Sequence, residues 1–397
     1  MTTMKSIPRP PREAEREHPL FSEEHHALRK SLRAFVENEL LPDSASWEIG
    51  FFPNDAVRRM GELGFLGLDK PVEYGGQGGD YGSSVILFEE LSRALSGGFL
   101  MAMSVQTDMA LPPVLAFGTE EQKQRWAVPA IAGEAVLALA MTEVHAGSDL
   151  RNISLRAVRD GDEWVINGGK MYITNGHRAD MIVLLAKTDP EAGHAGFTTF
   201  LVPGDSPGLS RGKPLEKMGM HASDTAELVF EDVRLPADAV LGEVGRGFQQ
   251  IMWELQGERL TTAVMALAMA ERGYEATLEY VRTRETFGAP LTTRQAVTHR
   301  LAECAIKIQV ARDAIYNAAW HVQNGRYPVI EITAAKLYAC RMACDVLDEC
   351  IQFHGAAGYM REYRIEQLYR DARLFRIGAG SDEVQLEIIA KSVAGRP

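Results

Sequence analysis

Ala157-Val158-Arg159-Asp160-Gly161-Asp162-Glu163-Trp164-Val165-Ile166-Asn167-Gly168 is the stretch that decides how this chain divides. Asp-Gly and Asn-Gly close tight hairpins because both turn positions need a positive φ, and each pair here is flanked by strand-forming residues. The reading is two hairpins in quick succession, at Asp160-Gly161 and at Asn167-Gly168. Working outward, the apolar run 137–141 and the segments 181–186, 197–202 and 227–230 supply further strands. Residues 137–237 are therefore predicted to form a middle β domain of antiparallel hairpins.

On both sides the apolar period becomes helical. Ser22 is an N-cap candidate followed by Glu23 and Glu24, and Leu28, Leu32, Phe35, Val36 and Leu40 continue the pattern until Pro42, which is expected to stop it. Further helices are expected over 55–63, 83–95 and 100–117, and Thr119-Glu120-Glu121-Gln122 offers a capping box. After Pro236, helices are predicted over 247–280, 293–323, 329–353 and 383–393. Leu301, Ile308, Ile315 and Val322, like Leu337, Cys340, Cys344, Leu347 and Ile351, keep a near-heptad spacing that suits antiparallel bundle packing. The predicted architecture is α+β: a mobile arm (1–20), an N-terminal helical domain (21–136), the β domain (137–237) and a C-terminal four-helix bundle (238–397).

Composition excludes several roles. A chain of 397 residues with 46% apolar content buries a large core, and a net charge of −12 with no basic cluster among aromatics argues against nucleic acid as a partner. No apolar run stands out as a membrane span, so no membrane insertion is expected. The arm is rich in Pro, Arg and Glu and lacks the apolar core of a secretory signal, so the expected location is cytoplasmic. Cys304, Cys340, Cys344 and Cys350 contain no C-x-x-C pair and read as reduced core residues. His25-His26 reads as a solvated helix face rather than a metal site, since adjacent helical positions diverge. The glycine-rich loop at 71–79 is not a dinucleotide fingerprint, because it neither follows an evident strand nor opens a helix with an acid downstream.

One carboxylate stands apart. Leu260, Val264, Leu267, Ala268 and Leu278 give the 247–280 helix a buried face, and Glu258 sits near its start in Leu255-Gln256-Gly257-Glu258-Arg259-Leu260. A lone Glu in such a place is ordinarily a solvated or dipole-complementing residue.

Five motifs change that weighting. Met141-Thr142-Glu143-Val144-His145-Ala146-Gly147-Ser148-Asp149, Gly169-Lys170-Met171-Tyr172-Ile173-Thr174-Asn175-Gly176, Arg282-Thr283-Arg284-Glu285-Thr286-Phe287-Gly288, Gln352-Phe353-His354-Gly355-Ala356-Ala357-Gly358 and Arg370-Asp371-Ala372-Arg373 resemble the acyl-CoA dehydrogenases in order and spacing. The resemblance covers nearly everything after Phe21. It implies a helical–β–helical fold, one FAD per subunit, a homotetramer, an acyl-CoA substrate and an electron-transfer flavoprotein as acceptor. By the same resemblance, Met141, Thr142, Gly147 and Ser148, with Tyr172 and Thr174, lie against the flavin. Arg284, Phe287 and Gln295 hold its adenosine and pyrophosphate part from a neighbouring subunit, and Gln352 and Ala356 complete that site. Ser381 and Glu383 are assigned to the cofactor too, and Ser148, Arg259 and Gly378 to the substrate.

The chemistry asks for a base at the α carbon, a hydride acceptor at the β carbon and a donor for the thioester oxygen. Much of the family carries a catalytic Glu in a Tyr-Glu-Gly-Thr segment, where this chain has Gly378-Ala379-Gly380-Ser381. Ala379 keeps only a backbone N–H, the expected oxyanion donor. The isovaleryl-CoA and long-chain branches place the base in a Glu-Arg-Leu segment instead, and Glu258-Arg259-Leu260 matches it. Glu258 is thus the expected base, with Glu254 one turn earlier as the reserve; Asp382 and Glu383 are expected to be idle. Gly378 in place of a bulky Tyr, and a likeness of Ser104-Val105-Gln106-Thr107-Asp108-Met109 to enzymes acting on citronellyl-CoA, point to a 3-methyl-branched acyl chain. Two alternatives stay open: an oxygen-using flavin oxidase, and a non-catalytic flavin or acyl-CoA binding protein. The other departure is Val144-His145 where the family commonly has Pro-Gly.

Overall fold

The computed structural model describes residues 18–395. Most of the expected arm lies outside that range; its last residues are packed, with Leu20 buried in the core and His18 edge-on to Tyr316.

In the N-terminal part, α1 (Glu23–Phe35), α2 (Asn54–Glu62), α3 (Tyr81–Leu91), α4 (Gly97–Ser104) and α5 (Leu111–Phe117) appear near their expected places. Pro42 does not stop the first helix. The chain widens into a π turn over Val36–Leu40 and continues helically through Leu41–Ser44. The same device recurs twice: Val105–Ala110 precedes Pro112 and Lys123–Ala127 precedes Pro129. A proline ring collides with the carbonyl four residues back in an α-helix, and a wider turn moves that carbonyl aside. Thr119 and Gln122 form the expected capping box.

Gly97–Phe117 corrects the search for membrane spans, being long and apolar enough to cross a bilayer by length and composition. It is largely buried within the fold, as a core helix is. His25 is a second correction. It is buried, and its Nε2 lies 2.7 Å from Asp80 Oδ1 while Nδ1 meets Ser22.

The β domain holds β1 (Leu137–Ala140), β2 (Arg156–Asp160), β3 (Glu163–Thr174), β4 (Met181–Lys187), β5 (Phe197–Pro203), β6 (Leu209–Arg211) and β7 (Thr225–Pro236). Strand order is β1-β4-β2-β3-β7-β6, with β5 pairing to β4. Asp160-Gly161 opens the β2–β3 hairpin as expected, but Asn167-Gly168 is no turn. β3 runs straight through it, and the register with β7 slips between Ile166 and Gly168. Gly168 has φ 136 and a Cβ there would meet Leu155 backbone at 2.8 Å, so the glycine serves a β-bulge under a close strand. The sheet is also not purely antiparallel, since β1 pairs β4 in parallel.

The C-terminal part holds α6 (Gly247–Thr283), α7 (Gln295–Gln323), α8 (Val329–His354), a short α9 (Ile365–Ala372) that the sequence reading did not foresee, and α10 (Asp382–Val393). The heptad positions Leu301, Ile308, Ile315, Cys340, Cys344 and Leu347 are buried as expected, and all four cysteines are buried and free. The helical parts are not separate bodies. Leu32, Phe88, Leu260, Val264 and Leu347 belong to one apolar core, while Trp164, Phe200 and Phe230 centre that of the β domain.

Candidate active site

The first two motifs meet on the β domain. Met171 N–H donates to Thr142 O at 2.9 Å, and Lys170 Nζ reaches Met141 O at 2.8 Å and Glu143 Oε1 at 2.9 Å. Burial pushes the Lys170 ammonium down to about 8 against the pull of Glu143. Burial works against the Glu143 carboxylate as well, but Lys170 and the Ser154 N–H and hydroxyl hold its pKa below the usual value. That buried pair, unremarked in the sequence, is the buttress behind both motifs.

In front of it, Thr142 and Thr174 are half-buried, Ser148 and Gly147 exposed, and Tyr172 adopts a left-handed φ of 64 that leaves its ring 64% exposed. Hydroxyls and an exposed aromatic along one strand edge fit a planar heteroaromatic with a polar rim, as a flavin is. Val144-His145 does not disturb this edge. Glu143 and Ala146 exchange both backbone hydrogen bonds across it, at 2.9 and 3.1 Å, and neither turn residue has a positive φ.

The edge abuts α6. Met141 packs in one cluster with Ile251 and Leu255, one turn before Glu258. On the same stretch of helix, Phe248, Met252, Trp253 and Gln256 line an open groove of about 640 Å³ closed by His194 and Tyr327, with His194 stacked flat on Phe248.

Glu258 is buried, not solvated. Burial raises its carboxyl above the usual range, while Arg259, Lys336, the neighbouring Glu254 carboxyl and the nearby Ala379 N–H draw it back. The expected base and the expected oxyanion donor, 121 residues apart in sequence, thus lie side by side. Ala379 achieves this in a left-handed conformation, φ 56, which costs a non-glycine residue on the order of 1 kcal/mol and clusters at functional sites. Three side-chain contacts hold it: Lys336 Nζ to Gly380 O at 2.6 Å, and Gln385 Nε2 to Ala379 O at 3.0 Å and Gly380 O at 3.1 Å. Lys336 and Gln385 escaped the sequence reading. A lone cation between Ile332 and Cys340, both on the buried face of α8, was the available signal.

Arg259 is buried with its Nε unpartnered, beside Glu254 and Glu258. Ser381 caps α10, accepting Val384 N–H at 3.5 Å, and Glu383 is exposed. Asp382 is committed to Arg341 and Arg376, at 2.9 and 2.8 Å, as an idle acid should be. Beside Gly378 a Cβ would meet nothing nearer than Leu374 O at 3.8 Å.

The remaining expected cofactor residues do not join this site within one protomer. Arg284, Phe287, Gln295, Gln352 and Ala356 are exposed. Phe287 is 99% exposed at the tip of a hairpin between β8 (Glu285–Thr286) and β9 (Ala289–Pro290). Arg284 follows the end of α6, 26 residues beyond Glu258, or about 39 Å along the helix axis.

A buried carboxylate beside a backbone donor, with hydroxyls and an exposed aromatic on the adjoining β-domain edge, is an arrangement suited to proton transfer next to a planar ring. Comparison with known proteins makes the class specific. Models of the acyl-CoA dehydrogenase N-terminal, middle and C-terminal domains match residues 22–134, 138–233 and 245–394. A probable acyl-CoA dehydrogenase, YngJ, of Bacillus subtilis is 37% identical over 94% of this chain and 98% of its own. The crystal structure of an acyl-CoA dehydrogenase from Geobacillus kaustophilus superposes with a TM-score of 0.93 at 42% identity, covering 95% of this chain and all of that one. A glutaryl-CoA dehydrogenase from Mycobacterium smegmatis, solved in complex with FADH2, superposes at 0.90 with 30% identity over 95% of this chain and 96% of that one. The chain belongs to the acyl-CoA dehydrogenase family, flavin-dependent oxidoreductases that use FAD and act on CH–CH bonds.

Proposed function

We propose that this enzyme oxidises an acyl-CoA thioester to its trans-2-enoyl product with Glu258 as the base, and that the acyl chain carries a 3-methyl branch. The carrying observation is a buried Glu258 carboxyl beside the Ala379 N–H. A thioester whose oxygen accepts that N–H brings its C2 hydrogens beside Glu258, so one small space serves both enolate stabilisation and proton removal. The hydride leaving C3 needs an acceptor that no side chain provides, and FAD supplies it. Thr142, Ser148, Tyr172 and Thr174 would bind its ring, and the open groove beside Phe248 and Tyr327 would take the CoA portion.

The room beside Gly378 supports a branch near C3, since a side chain there would occupy it. The exposed Phe287 hairpin, at the far end of α6 from Glu258, supports a homotetramer in which each FAD is shared between protomers. An electron-transfer flavoprotein is the proposed acceptor.

The test is anaerobic. Isovaleryl-CoA, citronellyl-CoA and octanoyl-CoA are added in turn to the yellow protein, and the expected result is bleaching of the flavin, fastest with a branched chain. Glu258→Gln is expected to keep its FAD and slow bleaching by about 10² to 10⁴, the usual worth of a general base. A variant that bleaches as fast as wild type refutes the assignment of the base.

A further inference from the structure

Glu258 has a neighbour that the reaction as written does not use. Glu254 lies one helical turn earlier on α6, 2% exposed, so the two carboxyls share a face. Neither oxygen of Glu254, nor Glu258 Oε2, has a donor from any other residue; the two carboxyls meet only each other. Buried polar atoms are almost always partnered, so three carboxyl oxygens with no outside donor call for an explanation.

The surrounding charges do not provide one. Arg259 is beside both acids but makes no hydrogen bond to either through Nε, and Lys336, from α8, is engaged by Gly380 O. Tyr327, ahead of α8, and Asp108, in the Val105–Ala110 π turn, complete the titratable groups facing Glu254. Asp108 adds negative charge; it is bonded to Thr107 and Thr261, and behind it Lys70 pairs with Asp69 at 2.7 Å. Two touching carboxylates in such a place cannot both ionise, whereas one proton between them turns a repulsion into a hydrogen bond.

The position of that proton follows from the neighbours. Burial raises both groups, but Arg259, Lys336 and the Ala379 N–H favour the anion of Glu258. After burial, Glu254 is pushed further up by Glu258 and by Asp108, with Arg259 opposing.

We propose that Glu254 and Glu258 form a one-proton carboxyl pair in which Glu254 stays neutral and donates its O–H to Glu258, aiming and keeping ionised the carboxylate that takes the α proton. Glu254 is a positioning residue here, and its role rests on Glu258 being the base. When the α proton arrives, Glu258 becomes a neutral acid, the C2–H electron pair enters the forming double bond, and the Glu254 proton stays in place. The pair then holds two protons and returns one to solvent before the next turnover.

Two readouts on the holoenzyme test this. The first needs no turnover: at neutral pH the infrared difference spectrum between wild type and Glu254→Gln is expected to contain the carbonyl band of a buried neutral carboxylic acid. Its absence overturns the pair whether or not any thioester is oxidised. The second is the pH profile of anaerobic flavin reduction by whichever probe thioester bleaches the wild type. Glu254→Leu removes the donor and is expected to move the acid limb up by about one to two pH units. Glu254→Gln keeps a donor but cannot ionise, so it is expected to restore the wild-type acid limb and to lose the inflection at high pH that belongs to the second ionisation of the pair. Identical profiles for all three proteins overturn the proposal. A retained infrared band with no bleaching by any thioester refutes the proposed reaction and leaves the pair standing.

Discussion

The wall around Glu258 and the hairpin around Phe287 are built on opposite principles. At Glu258 every group is buried and comes from one protomer: a helix supplies the acid, a loop the N–H, and Lys336 and Gln385 the clamp. At Phe287 a large apolar ring stands 99% exposed beside an exposed Arg284 and contributes nothing to its own protomer's core. On the proposed reading, the contrast makes the reacting end of the site a property of the folded chain, while the remote end becomes a site only against a second protomer. Exposed apolar residues scattered singly are ordinary, but one lifted on a strained hairpin next to a guanidinium is suited to a partner surface and a pyrophosphate.

If that division is right, the two ends fail differently. The largest expected effect belongs to the exposed end: Arg284→Ala with Phe287→Ser should weaken FAD binding by about a hundredfold or more, from loss of a charge-assisted pair and a ring contact. Sedimentation should show smaller assemblies, and the thermal transition of the isolated protomer should change little, because within the protomer Phe287 meets the Arg294 guanidinium at 5.9 Å and joins no apolar core. A variant that still purifies yellow and tetrameric would erase the contrast, since the hairpin would then be mere surface. Glu258→Gln is the mirror image, losing reaction while keeping cofactor.

Lys336→Met probes the interior end without altering Glu258, the proposed base. It removes both the clamp on Gly380 and a positive charge that draws the Glu258 carboxyl down. Flavin reduction should slow by about ten- to hundredfold, the worth of one hydrogen bond to a charged group. The sign with pH follows: without the ammonium, Glu258 holds its proton to higher pH, so the defect should deepen as pH falls and recede as it rises. A uniform loss at all pH values would mean that Lys336 acts on the loop alone.

How much of this the sequence disclosed depended on whether a feature is local or assembled. The helical, β and helical parts were legible because period-2 and helical apolar patterns are properties of short windows; the burial of Glu258 was not, since on local sequence a lone Glu there reads as solvated, and only the resemblance of its Glu-Arg-Leu context singled it out. Asn167-Gly168 misled because a bulge and a hairpin use the same left-handed preference, and only the register with β7 separates them. Pro42 misled because a π turn absorbs what an α turn cannot. His25 and the Lys170–Glu143 pair were hidden for another reason: a polar residue reads as surface until its partner, 55 or 27 positions away, is folded onto it. The Lys336 clamp has the same character.

Gly378 offers the finest test of the interior end, because it asks what the buried wall selects rather than whether it works. Its φ is not in the left-handed region, so a side chain costs no backbone strain, and the nearest atom to a new Cβ is Leu374 O at 3.8 Å. Gly378→Leu should therefore fold and bind FAD normally, and its added bulk should fall where a branch at C3 would lie. One or two methylenes in an apolar pocket shift selectivity by roughly tenfold or somewhat more. The ratio of kcat/KM for isovaleryl-CoA over octanoyl-CoA should drop by about that factor, chiefly through the branched substrate. If both substrates slow equally, the space beside Gly378 is not where the branch sits, and the proposed preference loses its support while the base and its N–H partner keep theirs.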